Sequence, residues 1–327
     1  LYKGLKNDQD LTESLDKHAD KVLFLEPSLQ HESLKVRYRY FILQYTKPGD
    51  IFHFIGEHPF LVTRRNKQVY SITQSSLKNL NLFGRIGHFL GAGVADIVDI
   101  LDPGIYKKMR NVFFYKKRHI YRTSNSFCNI HLFTSPDFNE RSDWLVFLGR
   151  FEPVKQVQQL LQAVPAMYHA IRQRARKDLH FYFLGYGSQD GELRQILRQE
   201  AFRDIPATIS FNDKPYEILS KSKIFFSLQL HNNYPSKSLI EAMAAGNIPV
   251  VTDIGETRWL AKPEFSYYVP EKFTSQDLAE TVRLIYSTDD SRLAVKSKAA
   301  RQAILDGHTI DKMLEYYLNL YQTVSGA

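Results

Sequence analysis

The sequence predicts an α/β fold in two lobes, each built on a parallel sheet. Three observations lead there. The chain has 327 residues, more than one typical domain holds. Short apolar runs bounded by turn residues recur along it. Longer stretches with helical spacing separate those runs, and strand–helix alternation implies parallel strands joined by right-handed crossovers.

The runs expected as strands are 22–25, 51–55, 69–73, 97–101 and 119–123 in the first half. In the second half they are 144–148, 180–184, 208–211, 224–228 and 248–252. Their hydrophobicity is continuous rather than alternating, which suits strands covered on both faces. Helical spacing marks residues 156–170, 191–201, 238–245 and 275–287. The polar segment 134–142 carries Pro136, Asp137, Asn139 and Glu140 and reads as a linker, so the strand at Trp144 opens a new unit.

Composition is that of an ordinary globular protein, 43% hydrophobic and 24% charged. A single cysteine, Cys128, leaves no internal disulfide and fits a reducing compartment. No apolar run approaches the roughly 20 residues of a membrane span, and no signal-peptide pattern opens the chain. Charge is uneven: residues 1–142 hold 21 Lys+Arg against 14 Asp+Glu, a net +7, and residues 143–327 hold 22 against 21, a net +1. The first half is therefore expected to meet something anionic, or else to be a merely soluble basic surface.

In an open parallel sheet, ligands sit beyond the carboxyl ends of the strands, so chemistry is expected in the strand-to-helix loops. The first such loop is Gly149–Lys155. Gly149 permits close backbone approach, Arg150 offers a planar fork for phosphate oxygens, and Lys155 adds a compact positive charge. Two cations in one loop suit a diphosphate and charge on a departing one; a pair of surface cations flanking a helix start is the plainer alternative. The loop 184–188 runs Gly185, Gly187, Gly191, which misses the G-x-G-x-x-G spacing and reads as a tight turn.

The third loop, residues 232–251, carries most. A helix starting near Ser236 or Ser238 would aim free N–H groups at an anion, with Lys237 between the two serines. Ala242, Ala244, Ala245 and Gly246 would let it lie close to the sheet. Glu241 is placed on the first turn, where its carboxylate could accept two ribose hydroxyls. Equally, Ser238-x-x-Glu241 matches a capping box, which would turn Glu241 back to the helix start.

The order of strand, G-R-F-x-x-x-K, G-x-G turn and Y-P-S-x-S-L-x-E-A-M-A-x-G-x-P-V-V resembles the C-terminal half of family-4-type glycosyltransferases of the GT-B fold. The resemblance spans about residues 93–325. It takes in Ala95-Asp96-Ile97, Asn125-Ser126-Phe127, the turn 252–257 and a last helix from Ile310 to Tyr321 that crosses back to the first lobe.

The resemblance implies two Rossmann-like lobes facing a cleft: residues 1–135 for the acceptor, 143–308 for the sugar nucleotide, 309–327 as the crossing helix. It implies that Arg150 and Lys155 bind the donor diphosphate and stabilise the leaving group, and that Glu241 holds the ribose. The amides of Ser236, Lys237 and Ser238 would face phosphates and sugar, beside Gly149, and the strand ending at Phe211 would border the base. Such enzymes retain anomeric configuration and usually need no metal or other cofactor, the donor itself being a nucleoside-diphosphate sugar.

The pattern departs at position 233, where Asn233 replaces a carboxylate that normally accepts a donor-sugar hydroxyl. An amide still donates and accepts hydrogen bonds, so an unusual donor or a non-catalytic binding subunit follows as an alternative. A GT-B-fold sugar-nucleotide epimerase is a third reading, less attractive without paired carboxylates in the donor loop.

For the family's first-lobe histidine the candidates are His58, taken as the catalytic one, and His53; Gln74 occupies the more usual place. The first strand and its glycine-rich loop are not recognisable before Lys21, so this lobe is expected truncated or reduced. The segments 77–90, 107–110 and 113–118 mix apolar or aromatic residues with cations. They are expected either to rest on an anionic membrane surface, giving a cytoplasmic, peripheral protein with a glycan or glycolipid acceptor, or to be an ordinary core helix and a basic loop; no nucleic-acid module is visible.

Overall fold

The protein is described from a computed structural model, for residues 47–55, 66–72, 86, 90–110, 120–122, 126–175 and 178–326. Expectations at Val22–Leu25, His58, Gln74 and 113–118 lie outside these residues.

The first sheet is parallel throughout, in the order β1 (Ile51–Ile55), β2 (Lys67–Ile72), β3 (Ile97–Ile100), β4 (Ile120–Arg122). After β3 the chain turns into α1 (Pro103–Met109), where the Asp102 carboxylate accepts a hydrogen bond from the Ile105 N–H at 2.8 Å and Pro103 opens the first turn.

The second unit alternates strand and helix: β5 (Trp144–Leu148), α2 (Val157–Ile171), β6 (His180–Leu184), α3 (Asp190–Leu197), β7 (Ala207–Ser210) and α4 (Pro215–Lys221). It continues through β8 (Ile224–Ser227), α5 (Lys237–Ala244), β9 (Ile248–Thr252), α6 (Thr257–Leu260), β10 (Tyr267–Val269), α7 (Ser275–Tyr286) and α8 (Asp290–Gly307). The sheet order is β10-β9-β8-β5-β6-β7, all parallel. Its first strand thus lies centrally with later strands on both sides, the doubly wound order that leaves a crevice where the winding reverses.

Alternate strand residues feed two separate cores. Leu145, Phe147, Ile224 and Phe226 pack with α2 and α7 on one face, and Val146, Phe225 and Val251 pack with α4, α5 and α8 on the other. Burial on both faces explains why these runs are apolar without a break. The segment 134–142 is not a free linker. Phe138 and Arg141 are buried within it, and Arg141 donates to Pro136 O, Ser135 Oγ and Ser222 O.

The last helix, α9 (Ile310–Ser325), returns to the first sheet. Leu320 and Val324 pack with Val69 of β2 and Ile97 of β3. Tyr316 Oη donates to Asp99 Oδ1 at 2.8 Å, and Ser71 Oγ donates to Asp99 Oδ2 at 2.9 Å. His53, in the middle of β1, shares hydrogen bonds with Tyr321 Oη at 2.7 Å and Ser71 Oγ at 2.6 Å. His53 thereby belongs to the docking of α9, with both ring nitrogens engaged. Among the described residues no helix is long and apolar enough to cross a membrane.

Candidate functional site

The reversal of winding lies between β5 and β8, and the loops that follow those two strands meet there. Lys155 Nζ donates to Gln229 Oε1 at 3.1 Å, and Leu230 N donates to Val154 O at 3.0 Å. Lys155 is half-buried and held by this bond, whereas Arg150 is exposed at the loop's start. Gln229 is itself fixed, since its N–H donates to Thr252 Oγ1 and the Thr252 hydroxyl donates back to Gln229 O. Glu152 receives the Ser188 N–H and hydroxyl, whose donations hold its carboxyl below the usual range.

The glycines after β6 serve this loop. A Cβ on Gly185 would overlap Gly149 O, and one on Gly187 would fall 2.5–2.7 Å from the backbone O, C and N of Phe151. Phe151 N donates to Tyr186 O, and Gln189 N donates to Phe151 O. Bare backbone is therefore what lets two loops lie against each other and set the height of Arg150.

Helix α5 begins at the N-cap Ser236, without a side-chain cap bond. Its first bonded amide is Ile240 N, to Ser236 O at 3.0 Å. The N–H groups of Lys237, Ser238 and Leu239 precede that bond, at the positive end of the helix dipole. At the other end Arg301 donates to Ala244 O and Phe133 O. Ala242, Ala244 and Ala245 are fully buried, which places the helix hard against the sheet.

Two expectations change here. Glu241 is the fifth residue of α5, past the first turn, and the N-cap is Ser236 rather than Ser238, so the capping box does not form. Its half-buried carboxylate lies 4.0 Å from Lys237 Nζ; burial pushes its pKa up and Lys237 partly offsets that. Likewise β7 ends at Ser210, which leaves Phe211 beyond the strand and 67% exposed.

Asn233 is exposed, at the mouth of a narrow cleft it shares with Ser227, Gln229, Ser236 and Thr257. The structure thus brings Gly149, Arg150, Lys155, Asn233, Ser236, Lys237, Ser238 and Glu241 to the carboxyl edge of one sheet.

Four features had no counterpart in the sequence reading. Tyr186 is 64% exposed and meets Phe211 edge-on at 5.6 Å, an aromatic pair at the ends of β6 and β7. Gln229 restrains Lys155. Asn232 Oδ1 accepts from both Tyr234 N and Glu256 N at 3.2 Å, across a loop that includes a cis peptide between Tyr234 and Pro235. Glu256 reaches Gly104 of the first unit. Only Tyr186 carried a sequence signal, as an aromatic directly after a strand between two glycines.

No curated protein sequence matches the chain. Solved structures do. The chain is similar to a Rickettsia africae glycosyltransferase at 14% identity, covering 96% of this chain and 87% of that one with a TM-score of 0.73. It is similar to Anabaena HepE in complex with UDP at 15% identity, covering 96% and 89%, TM-score 0.72. A variant of S. aureus TarM in complex with Fondaparinux, alpha-GlcNAc-glycerol and UDP matches at 16% identity, covering 88% of this chain but 58% of that one, TM-score 0.66. At these identities the likeness is one of fold, and the fold is that of GT-B glycosyltransferases. A family model, glycosyl transferases group 1, matches residues 131–302, more than half of the sequence, and by that match the chain belongs to the group 1 glycosyl transferases.

Proposed function

We propose that the chain transfers a hexose-type sugar from a nucleoside diphosphate to a saccharide or lipid-linked saccharide, with retention of configuration and as a family-4-type enzyme. One observation carries the reading. The uncapped N-terminus of α5, the cations Arg150 and Lys155, and the half-buried Glu241 converge at the switch point of a doubly wound sheet. Free amides and two cations suit a diphosphate, and stabilise the charge it gains on leaving without calling on a metal. Glu241, a carboxylate on the same edge, suits the paired hydroxyls of a ribose. Phe211, with Tyr186 beside it, offers an aromatic border for the base.

The lobes divide the labour. Residues 143–308 take the donor, the basic first lobe (1–135) takes the acceptor and an anionic membrane surface, and residues 309–327 tie one to the other. His58 is retained as the first-lobe group facing the sugar. No protein nucleophile is assigned; the leaving diphosphate takes the acceptor proton. HepE and TarM were each solved with UDP, and TarM with saccharides, which supports a sugar nucleotide and a glycan here. A second reading, a binding subunit without turnover, is favoured by Asn233 alone.

The test is to incubate the chain with UDP-glucose, UDP-N-acetylglucosamine and GDP-mannose, follow hydrolysis and transfer, and assign the product anomer by NMR. Turnover with retention is expected. Arg150→Ala and Lys155→Ala should each weaken nucleoside-diphosphate affinity about 10- to 100-fold, the worth of a charge-assisted hydrogen bond. Tight binding with no turnover would leave only the second reading.

A further inference from the structure

The turn between β9 and α6 is bound to the donor loop. Gly255 has φ +55°, and a Cβ there would overlap Asn232, while Glu256 N donates to Asn232 Oδ1 at 3.2 Å. From this anchored turn the Glu256 side chain reaches the first unit. A Cβ added to Gly104, in the first turn of α1, would collide with Glu256 Oε1 and lie 3.2 Å from Asp102 Oδ1. Two carboxylates, one from each lobe, therefore flank a single glycine.

Neither carboxylate is saturated. Asp102 is 3% exposed; its Oδ1 accepts from Ile105 N, and its Oδ2 is buried with no hydrogen-bond partner. Among the described residues the Glu256 carboxylate has no ion pair, and at the N-cap of α6 it makes no cap bond. A carboxylate oxygen accepts hydrogen bonds. The Glu256 carboxylate is therefore suited to a hydroxyl donor. The neighbouring Thr257 shares a cleft with Asn233, whose side chain is an uncharged amide.

We propose that Glu256 is a specificity-determining residue of the donor site. Its carboxylate, delivered from the neighbouring turn, accepts a hydrogen bond from a hydroxyl of the transferred sugar, the contact Asn233 does not offer as an anion. The role rests on the transferase reading above. Because Glu256 also touches the Asp102–Gly104 turn, the contact is complete only when the lobes are together.

The experiment is calorimetric titration of the full chain, Glu256→Gln and Gly104→Ala with UDP-glucose, UDP-N-acetylglucosamine and GDP-mannose, and with UDP and GDP alone. In the native chain the best sugar nucleotide should bind more tightly than its own nucleoside diphosphate. In Glu256→Gln that advantage should shrink about 10- to 100-fold, with affinity for UDP or GDP and the thermal midpoint unchanged. Gly104→Ala, which displaces the carboxylate without deleting it, should move the ratio in the same direction. A ratio that neither substitution changes overturns the assignment while leaving the transferase reading intact. A change seen only with Mg²⁺ or Mn²⁺ and lost in EDTA assigns the pair to a cation and also overturns it. If the native chain binds neither UDP nor GDP, both readings fall together.

Discussion

Gly187 has a role that follows from one distance. The backbone of Phe151 occupies the space where a side chain would start, at 2.5–2.7 Å from an added Cβ. Gly187→Ala forces the 149–155 loop away from the 185–189 loop. The expected loss is about 1–3 kcal/mol of stability, the range for overpacking, together with weaker nucleoside-diphosphate binding, since Arg150 and Lys155 ride on that loop. Denaturation midpoints and titration with UDP check this; an alanine variant as stable as the parent would show that the loops separate freely. Lys155 and Gln229 make a related pair. Gln229→Ala should weaken UDP binding less than Lys155→Ala does, because it removes one hydrogen bond from the cation and leaves the charge in place.

At the scale of elements, the seam between α9 and the first sheet holds two titratable groups shifted in opposite senses. Burial pulls His53 down to about 4, and burial pushes Asp99 up to about 6 against the donations of Tyr316 and Ser71. For His53 the unfolded chain takes a proton below the ordinary value of 6.5 and the folded chain does not. Its contribution is therefore lost as pH falls from 6.5 towards 4. For Asp99 the unfolded chain gives up its proton from 3.8 upward while the folded chain keeps it to about 6, so stability falls as pH rises across that interval. Each shift corresponds to roughly 3 kcal/mol, and the two nearly cancel between pH 4 and 6. Asp99→Asn should unmask the histidine, giving stability that rises with pH across this window. Denaturant unfolding at a series of pH values reads it; a variant with a pH profile parallel to the parent would remove Asp99 from the seam.

For the whole molecule, the last helix ties the two units. It leaves the second unit at Thr309, where Cys128 N donates to His308 O and Ile310 N donates to Cys128 O, and ends over β2 and β3. Leu320 is 2% exposed against Val69 and Ile97. Leu320→Ala should cost about 2–4 kcal/mol, felt in the first sheet and its docking, with UDP affinity of the second unit unchanged. Calorimetry and UDP titration on one sample separate these effects, and equal losses in both would argue against independent lobes. The basic first lobe also predicts binding to vesicles rich in phosphatidylserine that weakens with salt; flotation that is absent or indifferent to salt removes the membrane surface from the partners.

The sequence by itself determined the alternation of elements and the order of the loops along the chain. Strands at 144–148, 180–184 and 248–252 have the bounds their apolar runs suggested, because strands covered on both faces write their burial continuously. Short or polar elements, α4, α8 and the three-residue β10, carry no such signature and were not read. Helix α5 was expected to start near Ser236 or Ser238, two chemically alike residues, and only the backbone selects Ser236 as the cap.

Arg150, Lys155 and Glu241 could be singled out as candidates because each sits in a contiguous motif. Contacts between distant segments were not. Lys155 with Gln229, Asn232 with Glu256, and Glu256 with Gly104 join residues that share no local pattern, and no periodicity encodes which loop a tertiary crossover will bring against another. The sequence placed an amide at 233. Only the folding of β9 beside β8, and of the second unit against the first, decided that the turn bound to Asn232 carries the Glu256 side chain to Gly104.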